Sequence, residues 1–365
     1  MTVMPLKVGF VLLSNSKNPQ PSTRVAVLNM LPALREAGVE VELVFNPHQA
    51  SETPDLSNLA KSLIEKRFDV VYFQKVRGES VQNCAQCLAK AGIATIYGVC
   101  DLVDRGMADA THMTLVVSEF LKSLYPAELQ DKIHVVHDGI EQPLVKKTDF
   151  GSHSGSRAQP IRAVLVTSSS LASIPVLVNP PNWLEVTIVG RYPAKNAIAQ
   201  RIKESRWAFA KMSGTTESLA YLNFLLNSRI KTQMWQAERV YATMQSADIG
   251  IIPIESKEDF AKGTNTPVWK VKSENRLTLK MSVGLPVIAT PIPSYEPIVE
   301  SGVNGFFATD RAEWIRSLEI LRDPATRKLI GEKGRASVNE RFSQRRQANL
   351  LIAALRYISE SRSRL

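Results

Sequence analysis

Residues 272–307 read KSENRLTLKMSVGLPVIATPIPSYEPIVESGVNGFF, and ADIGIIPIE stands before them at 247–255. Residues 249–254 are an apolar run behind Asp248, the pattern of a strand buried on both faces. The following segment is helical up to Gly284. Gly284-Leu285-Pro286 then ends the helix and starts a second buried strand at 286–289. Strand, helix, strand in this order predicts a parallel pair. Residues 289–294 leave the carboxyl end of that second strand, the side on which open α/β sheets place their ligands. Ser301-Gly302-Val303-Asn304-Gly305 is a turn whose Gly and Asn residues tolerate positive φ. Backbone amides beside such glycines can approach a phosphate or a base closely. Alone, the turn would be no more than a link between core strands; the assembled string carries the functional signal.

The same alternation runs outward from this stretch. Strands are expected at 7–14, 39–45, 69–73, 94–99, 115–118 and 133–136. Helices are expected at 22–37, 56–67 and 79–91, with Gly38 and Gly92 as their stops. Residues 148–160 are rich in Ser, Gly, Lys and His and have no period, which reads as a linker. A second set of strands follows at 161–167, 186–189, 249–254, 286–289 and 305–308, with a long, mostly helical stretch over 197–245. The expected plan is a domain over 1–147, the linker, a second domain over 161–340 and a basic helix over 341–365. No internal repeat or low-complexity segment stands out.

The chain has 365 residues, 44% hydrophobic and 22% charged, so each half can bury its own core. No apolar run is long enough for a membrane-spanning helix, and the N-terminal run reads as a strand, not as a signal peptide. Three cysteines, Cys84, Cys87 and Cys100, are too few for a disulfide framework and suit a reducing, cytoplasmic compartment. Cys84 and Cys87 form a lone C-x-x-C, read as helix positions one turn apart. The net charge is +10; residues 311–365 hold 13 Lys and Arg against 6 Asp and Glu, an excess of 7. That tail is either a solvated helix or an attachment to an anionic partner such as a membrane surface.

The order Asp248, Pro253, Gly284, Pro286, Val287, Ala289, Thr290, Glu296, Gly302, Asn304, Gly305 resembles the donor-binding half of the group 1, or family-four, glycosyltransferases. Pro21-Ser22-Thr23-Arg24 looks like their acceptor-side opening, which nominates Ser22, Thr23 and Arg24. Val135-Val136-His137-Asp138-Gly139-Ile140 looks like their V-I-P-N-G-I-D string. Together these cover roughly residues 6–342. The resemblance implies an α/β chain of the GT-B fold, two doubly wound Rossmann-like domains facing a central cleft. It implies a nucleoside diphosphate sugar as donor, an unidentified acceptor, a retaining outcome, no metal and no cofactor.

The chain departs from that family at three places. The E-x7-E glutamates would fall at Val271 and Leu279 and are absent. Lys270, Lys272, Glu274, Asn275 and Arg276 stand there instead, as in some divergent members. Lys272 and Arg276 suit a diphosphate and Glu274 suits hydroxyls; as a plain helix start, the same residues would sit in water. The catalytic His of T-V-H-D-L is Cys100 in Gly98-Val99-Cys100-Asp101-Leu102. Asp101 then becomes the first candidate for a polar cleft residue, with Cys100 beside it. The usual Arg and Lys opening the second domain are replaced by Ser168–Ser170, followed later by Gly190 and Arg191. The candidate donor site is completed by Pro293, Ser294 and Glu296.

Three rivals differ in class. A non-catalytic GT-B protein binding a nucleotide sugar or a partner enzyme is favoured by the missing glutamates and His. A nicotinamide oxidoreductase would need G-x-G-x-x-G after the first strand, where Ser14-Asn15-Ser16-Lys17-Asn18 stands. A nucleic-acid binder would need interleaved aromatic and basic residues, which the chain does not show.

Overall fold

The structure, a computed structural model, describes residues 5–151, 153–167, 177, 179–190, 209, 214–254, 259–261 and 264–362. They form two compact units: Met1–Glu141 with Glu258–Glu274 and Phe342–Leu365, and Gln142–Lys257 with Asn275–Arg341.

The first unit holds six strands: β1 (Leu6–Val11), β2 (Val39–Phe45), β3 (Val70–Gln74), β4 (Ala94–Val99), β5 (Met113–Val116) and β6 (Ile133–Val135). All pair in parallel, in the order β2-β1-β3-β4-β5-β6. Both β3 and β4 are buried along their whole length, which is why their sequences are nearly all apolar. Residues 22–37 do not form the single helix their spacing suggests. A short α1 (Pro21–Thr23) runs into a π-helical turn over Arg24–Leu28, and α2 (Leu31–Glu36) starts afresh. Pro32 is the cause: it has no N–H to give to the preceding turn. Around the sheet lie α3 (Leu59–Glu65), α4 (Glu79–Lys90), α5 (Arg105–Ala110) and α6 (Glu119–Ser123). On α4, Val81, Cys84, Ala85 and Leu88 make the buried stripe while Cys87 is exposed, so the C-x-x-C pair straddles the edge of one helix face.

Two distant segments complete this unit. Val271 and Ala261 enter the core beside Tyr97, Val103 and Met107. The C-terminal helix, Gln344–Arg362, brings Leu351, Ile352, Leu355 and Ile358 into one core cluster with Val8, Phe10, Leu34 and Tyr72.

The second unit has β7 (Ile161–Val166), β8 (Leu184–Gly190), β9 (Ile230–Met234), β10 (Ile249–Ile252), β11 (Val287–Ala289) and β12 (Phe306–Phe307), all parallel, in the order β12-β11-β10-β7-β8-β9. Its helices are α7 (Thr215–Leu226), α8 (Ala237–Ser246), α9 (Asn275–Val283), α10 (Arg311–Ile320) and α11 (Pro324–Asn339), and α12 (Gln344–Arg362) follows in the first unit. The stretch read as mostly helical therefore contains an edge strand, β9. Its five residues, IKTQM, are too polar and too few to show a clear period, and exposed Lys231 pairs with Glu185 on β8 at 2.7 Å.

Residues 142–160 are bound into this second unit. The buried Arg327 guanidinium donates to the carbonyls of Phe150 (2.7 Å) and His153 (3.0 Å), and to those of Leu321 and Arg322 at the end of α10. Arg335 reaches the carbonyls of Pro143, Val145 and Ser282. In the core, Lys280 of α9 is fully buried, its Nζ donating to the Arg276 carbonyl at 3.2 Å.

Candidate functional site

Strand order reverses twice, between β1 and β3 in the first sheet and between β7 and β10 in the second. At such switch points the loops leave in opposite directions and open a crevice beyond the carboxyl ends of the strands.

At the first switch point, Gln74 ends β3 and ties it to its neighbours. Its Oε1 accepts from the Leu13 N–H (3.1 Å) and from the Thr23 hydroxyl (2.9 Å), and Thr23 in turn accepts from Ser14 (2.8 Å). Thr23 is thus a buried brace. Arg24 is held by Glu141 through two bonds of 2.6 and 3.1 Å. Of the three acceptor-side candidates, Ser22 is the one that lines an open pocket.

The next residue, Lys75, takes the left-handed conformation, φ 57°, uncommon for a side-chain-bearing residue. This turns its ammonium toward Asp101, 2.8 Å from Oδ1 and 3.0 Å from Oδ2, with Glu52 at 3.7 Å. Arg77 pairs with Glu52 at 2.8 Å and lies 3.8 Å from Asp104. Burial disfavours the Lys75 ammonium, but Cys100, Asp101 and Glu52 more than offset it, and its pKa lies above the usual lysine value. Asp101 is therefore an ion-paired carboxylate at a strand end. Cys100 sits beside it, Sγ 3.6 Å from Oδ1. Burial first, then the Asp101 charge, pushes the thiol well above its usual value, so it is neutral at pH 7 and no nucleophile.

A pocket of about 30 Å³, room for one water-sized group, opens between the ends of β3, β4 and β6 and helix α12, lined among others by Ser22, Tyr72, Gln74, Cys100, His137 and Asp138. Asp138 is 8% exposed. Burial, then the charge of Glu274, raises its pKa to about 7 against a hydrogen bond from Ser273 that lowers it. His137 Nδ1 lies 2.7 Å from the Val117 carbonyl and 3.0 Å from Glu274 Oε1. Both neighbours are acceptors, so Nδ1 carries the proton. Glu274, a donor-site candidate, is 1% exposed and serves this histidine in the first unit.

Lys272 lies in the first unit, while Asn275 and Arg276 form the first turn of α9 in the second. Gly190 ends β8; Arg191 and Ser168–Ser170 lie outside the described residues. Beyond β11, Thr290 Oγ1 accepts from the Ile254 N–H at 3.0 Å, joining the loops that leave two adjacent strands. Pro293 and buried Ser294 follow, with Glu296 exposed. The G-x-N-G turn is internally braced: Asn304 accepts from the Glu300 N–H (2.8 Å) and donates to Ile298 O (2.9 Å) and Ser337 Oγ (3.2 Å). Gly302 has φ +82°. Among the described residues no three His, Cys, Asp or Glu side chains come together as a metal site.

Sequence reasoning missed Tyr72, Gln74, Lys75 and Asp138 as site residues. The available signal was the change from apolar to polar at strand ends, Gln74-Lys75 after VVYF and His137-Asp138 after IHVV.

No protein-family model and no curated protein sequence matches the chain. Solved structures do match in fold. HepE of Anabaena, in complex with UDP and glucose, superposes with a TM-score of 0.67 at 13% identity, over 96% of this chain and 99% of that one. A glycosyltransferase of Rickettsia africae gives 0.64 at 12% identity, covering 97% and 98%. Sucrose-phosphate synthase of Thermosynechococcus elongatus gives 0.62 at 13% identity, covering 97% and 99%. The chain has the GT-B glycosyltransferase fold.

Proposed function

We propose that the chain is a glycosyltransferase that moves a sugar from a nucleoside diphosphate sugar to a hydroxyl acceptor, with retention and without a metal ion. The observation that carries this reading is the pair of switch points, one per sheet, each edged by polar residues, on a fold whose solved examples include HepE with UDP-glucose. In the second unit, Asn275, Arg276, Ser294 and Glu296 are the candidates for the donor. Arg276 brings a fork of donors suited to a diphosphate, at a helix N-terminus that favours negative charge. In the first unit, Asp101, fixed by Lys75, and Asp138 are the carboxyl groups just beyond the ends of β4 and β6. In the reaction the acceptor oxygen bonds to the anomeric carbon as the bond to the phosphate oxygen breaks. The nucleoside diphosphate leaves with the electron pair, and the acceptor proton passes to the departing phosphate.

Turnover of a panel of labelled nucleotide sugars, with and without EDTA, tests the reading. Release of nucleoside diphosphate with sugar transferred to an added acceptor or to water, unaffected by EDTA, supports it. Tight binding without turnover would favour the non-catalytic alternative, which the neutral Cys100 thiol and the absent glutamates support.

We also propose a loose attachment to the cytoplasmic face of an anionic membrane, which would suit a lipid-linked glycan as acceptor. No helix among the described residues is long and apolar enough to cross a membrane. Helix α12 exposes Arg345, Arg346 and Arg356, and beside them Leu350 (42%) and Tyr357 (62%). Basic and interfacial side chains on one helix suit a charged lipid surface.

A further inference from the structure

The pocket at the end of β3 is lined by polar atoms that the protein itself does not use. Tyr72 is 4% exposed and Gln74 2%. Gln74 Oε1 is occupied by Leu13 and Thr23, yet its Nε2 makes no hydrogen bond among the described residues, and neither does the Tyr72 hydroxyl. Phenylalanine at position 72 would give the same packing against Phe10, whose ring lies 5.4 Å from that of Tyr72. The chain also clears space for the hydroxyl: a Cβ on Gly98 would stand 1.8 Å from it. Gly98 is therefore required by the phenol, not by a turn.

The chemistry of the lining selects the occupant. No lysine or arginine lines the pocket, so it does not suit an anion. One carboxyl, on Asp138, is engaged by Ser273 and buried, which does not suit a cation. The Tyr72 hydroxyl, the Gln74 amide and the Asp138 carboxyl remain, with Ser22, Cys100 and His137 beside them and apolar walls from Met30, Val99, Leu115 and Leu351. A hydroxyl on a CH carbon matches all of these: it offers one proton and two lone pairs, with C–H faces for the walls. The volume admits one such group.

We propose that this pocket binds a hydroxyl group of a polyol or sugar, held by the Tyr72 hydroxyl, the Gln74 amide and the Asp138 carboxyl. The proposal rests on the glycosyl-transfer reading only for the role of that hydroxyl, which is then part of the acceptor. It assigns Tyr72 and Gln74 to acceptor binding and fixes the acceptor's chemical class as neutral and hydroxyl-bearing at this point.

The test uses the full-length chain with 13C-methyl methionine and follows the Met30 methyl signal, assigned through Met30→Ile. Glycerol and methyl α-D-glucoside are the probes, and 1,2-dimethoxyethane is the control without hydroxyls. The expected result is a saturable shift with at least one polyol and none with the ether. Tyr72→Phe should weaken that binding about fivefold or more, the loss of one hydrogen bond, while its thermal midpoint is unchanged or higher. The proposal is overturned if neither polyol saturates, if Tyr72→Phe binds as the wild type does, or if Tyr72→Phe unfolds at a clearly lower temperature, since the hydroxyl would then be structural. Nucleoside diphosphate titrated into the same sample reports on the transfer reading separately. Polyol binding without nucleotide binding would defeat that reading and leave this pocket assigned.

Discussion

Lys280 lies across Gly250. A Cβ on Gly250 would stand 2.9 Å from Lys280 Cδ, so the strand gives up a side chain to let a lysine into the core of the second unit. Burial, then the charge of Arg276, lowers the lysine pKa to about 7.

That arrangement sets a pH dependence. An unfolded chain keeps this lysine protonated to about pH 10.4, whereas the folded chain releases the proton above about 7. The unfolded state binds more protons between these values, so stability rises with pH across that window and is lost as pH falls through 7. Lys280→Met should raise stability at pH 7 by about 1–3 kcal/mol, because no charge is then buried. Chemical denaturation at several pH values should show the gain shrinking toward pH 10. A gain that does not change with pH would mean that Lys280 is not the titrating group.

Arg276→Ala should weaken nucleoside diphosphate binding by about 1.5–3 kcal/mol, the loss of a charged hydrogen bond. Isothermal calorimetry gives the number directly. Unchanged affinity would remove Arg276 from the donor site.

Asp101→Asn keeps the shape of the side chain and removes the charge that faces Lys75. On the transfer reading, kcat for sugar transfer should fall at least about tenfold, roughly 1.4 kcal/mol in the barrier, with nucleoside diphosphate affinity unchanged. Steady-state kinetics and calorimetry on one preparation separate the two. An unaltered kcat would leave Asp101 as the structural partner of Lys75 alone.

Flotation with liposomes measures the role of the basic tail. Each basic residue near an anionic surface contributes on the order of 1 kcal/mol, and the effect fades within a Debye length. Binding to anionic vesicles at low salt should disappear at high salt. It should also weaken when Arg345, Arg346 and Arg356 are replaced by Gln. Equal recovery with neutral and anionic vesicles would leave the tail as an ordinary solvated helix.

The fold was legible in the sequence because both sheets are parallel and buried, and their strands are short apolar blocks such as Val70–Gln74 and Ile249–Ile252. The glycine stops were also legible, since Gly38, Gly92 and Gly284 all adopt positive φ. β9 escaped because an edge strand with Lys231 and Gln233 carries little hydrophobic pattern. Site residues were harder. Glu274 looked like an acceptor for the donor's hydroxyls in a charged string, yet it is buried against His137, 137 positions away in sequence. Tyr72 sits inside the apolar block of β3, and it is the vacant side-chain space at Gly98, on another strand, that makes room for its hydroxyl at the pocket. Relations of this kind belong to pairs of strands and leave no trace in either segment alone.

The grip of Arg327 on residues 150 and 153 bears on how the second unit is to be produced by itself. A fragment started at the first strand, Ile161, would strip two carbonyl partners from a guanidinium that stays inside the core. An expression boundary near Gln142 keeps them, along with the carbonyls of residues 143 and 145 that Arg335 reaches.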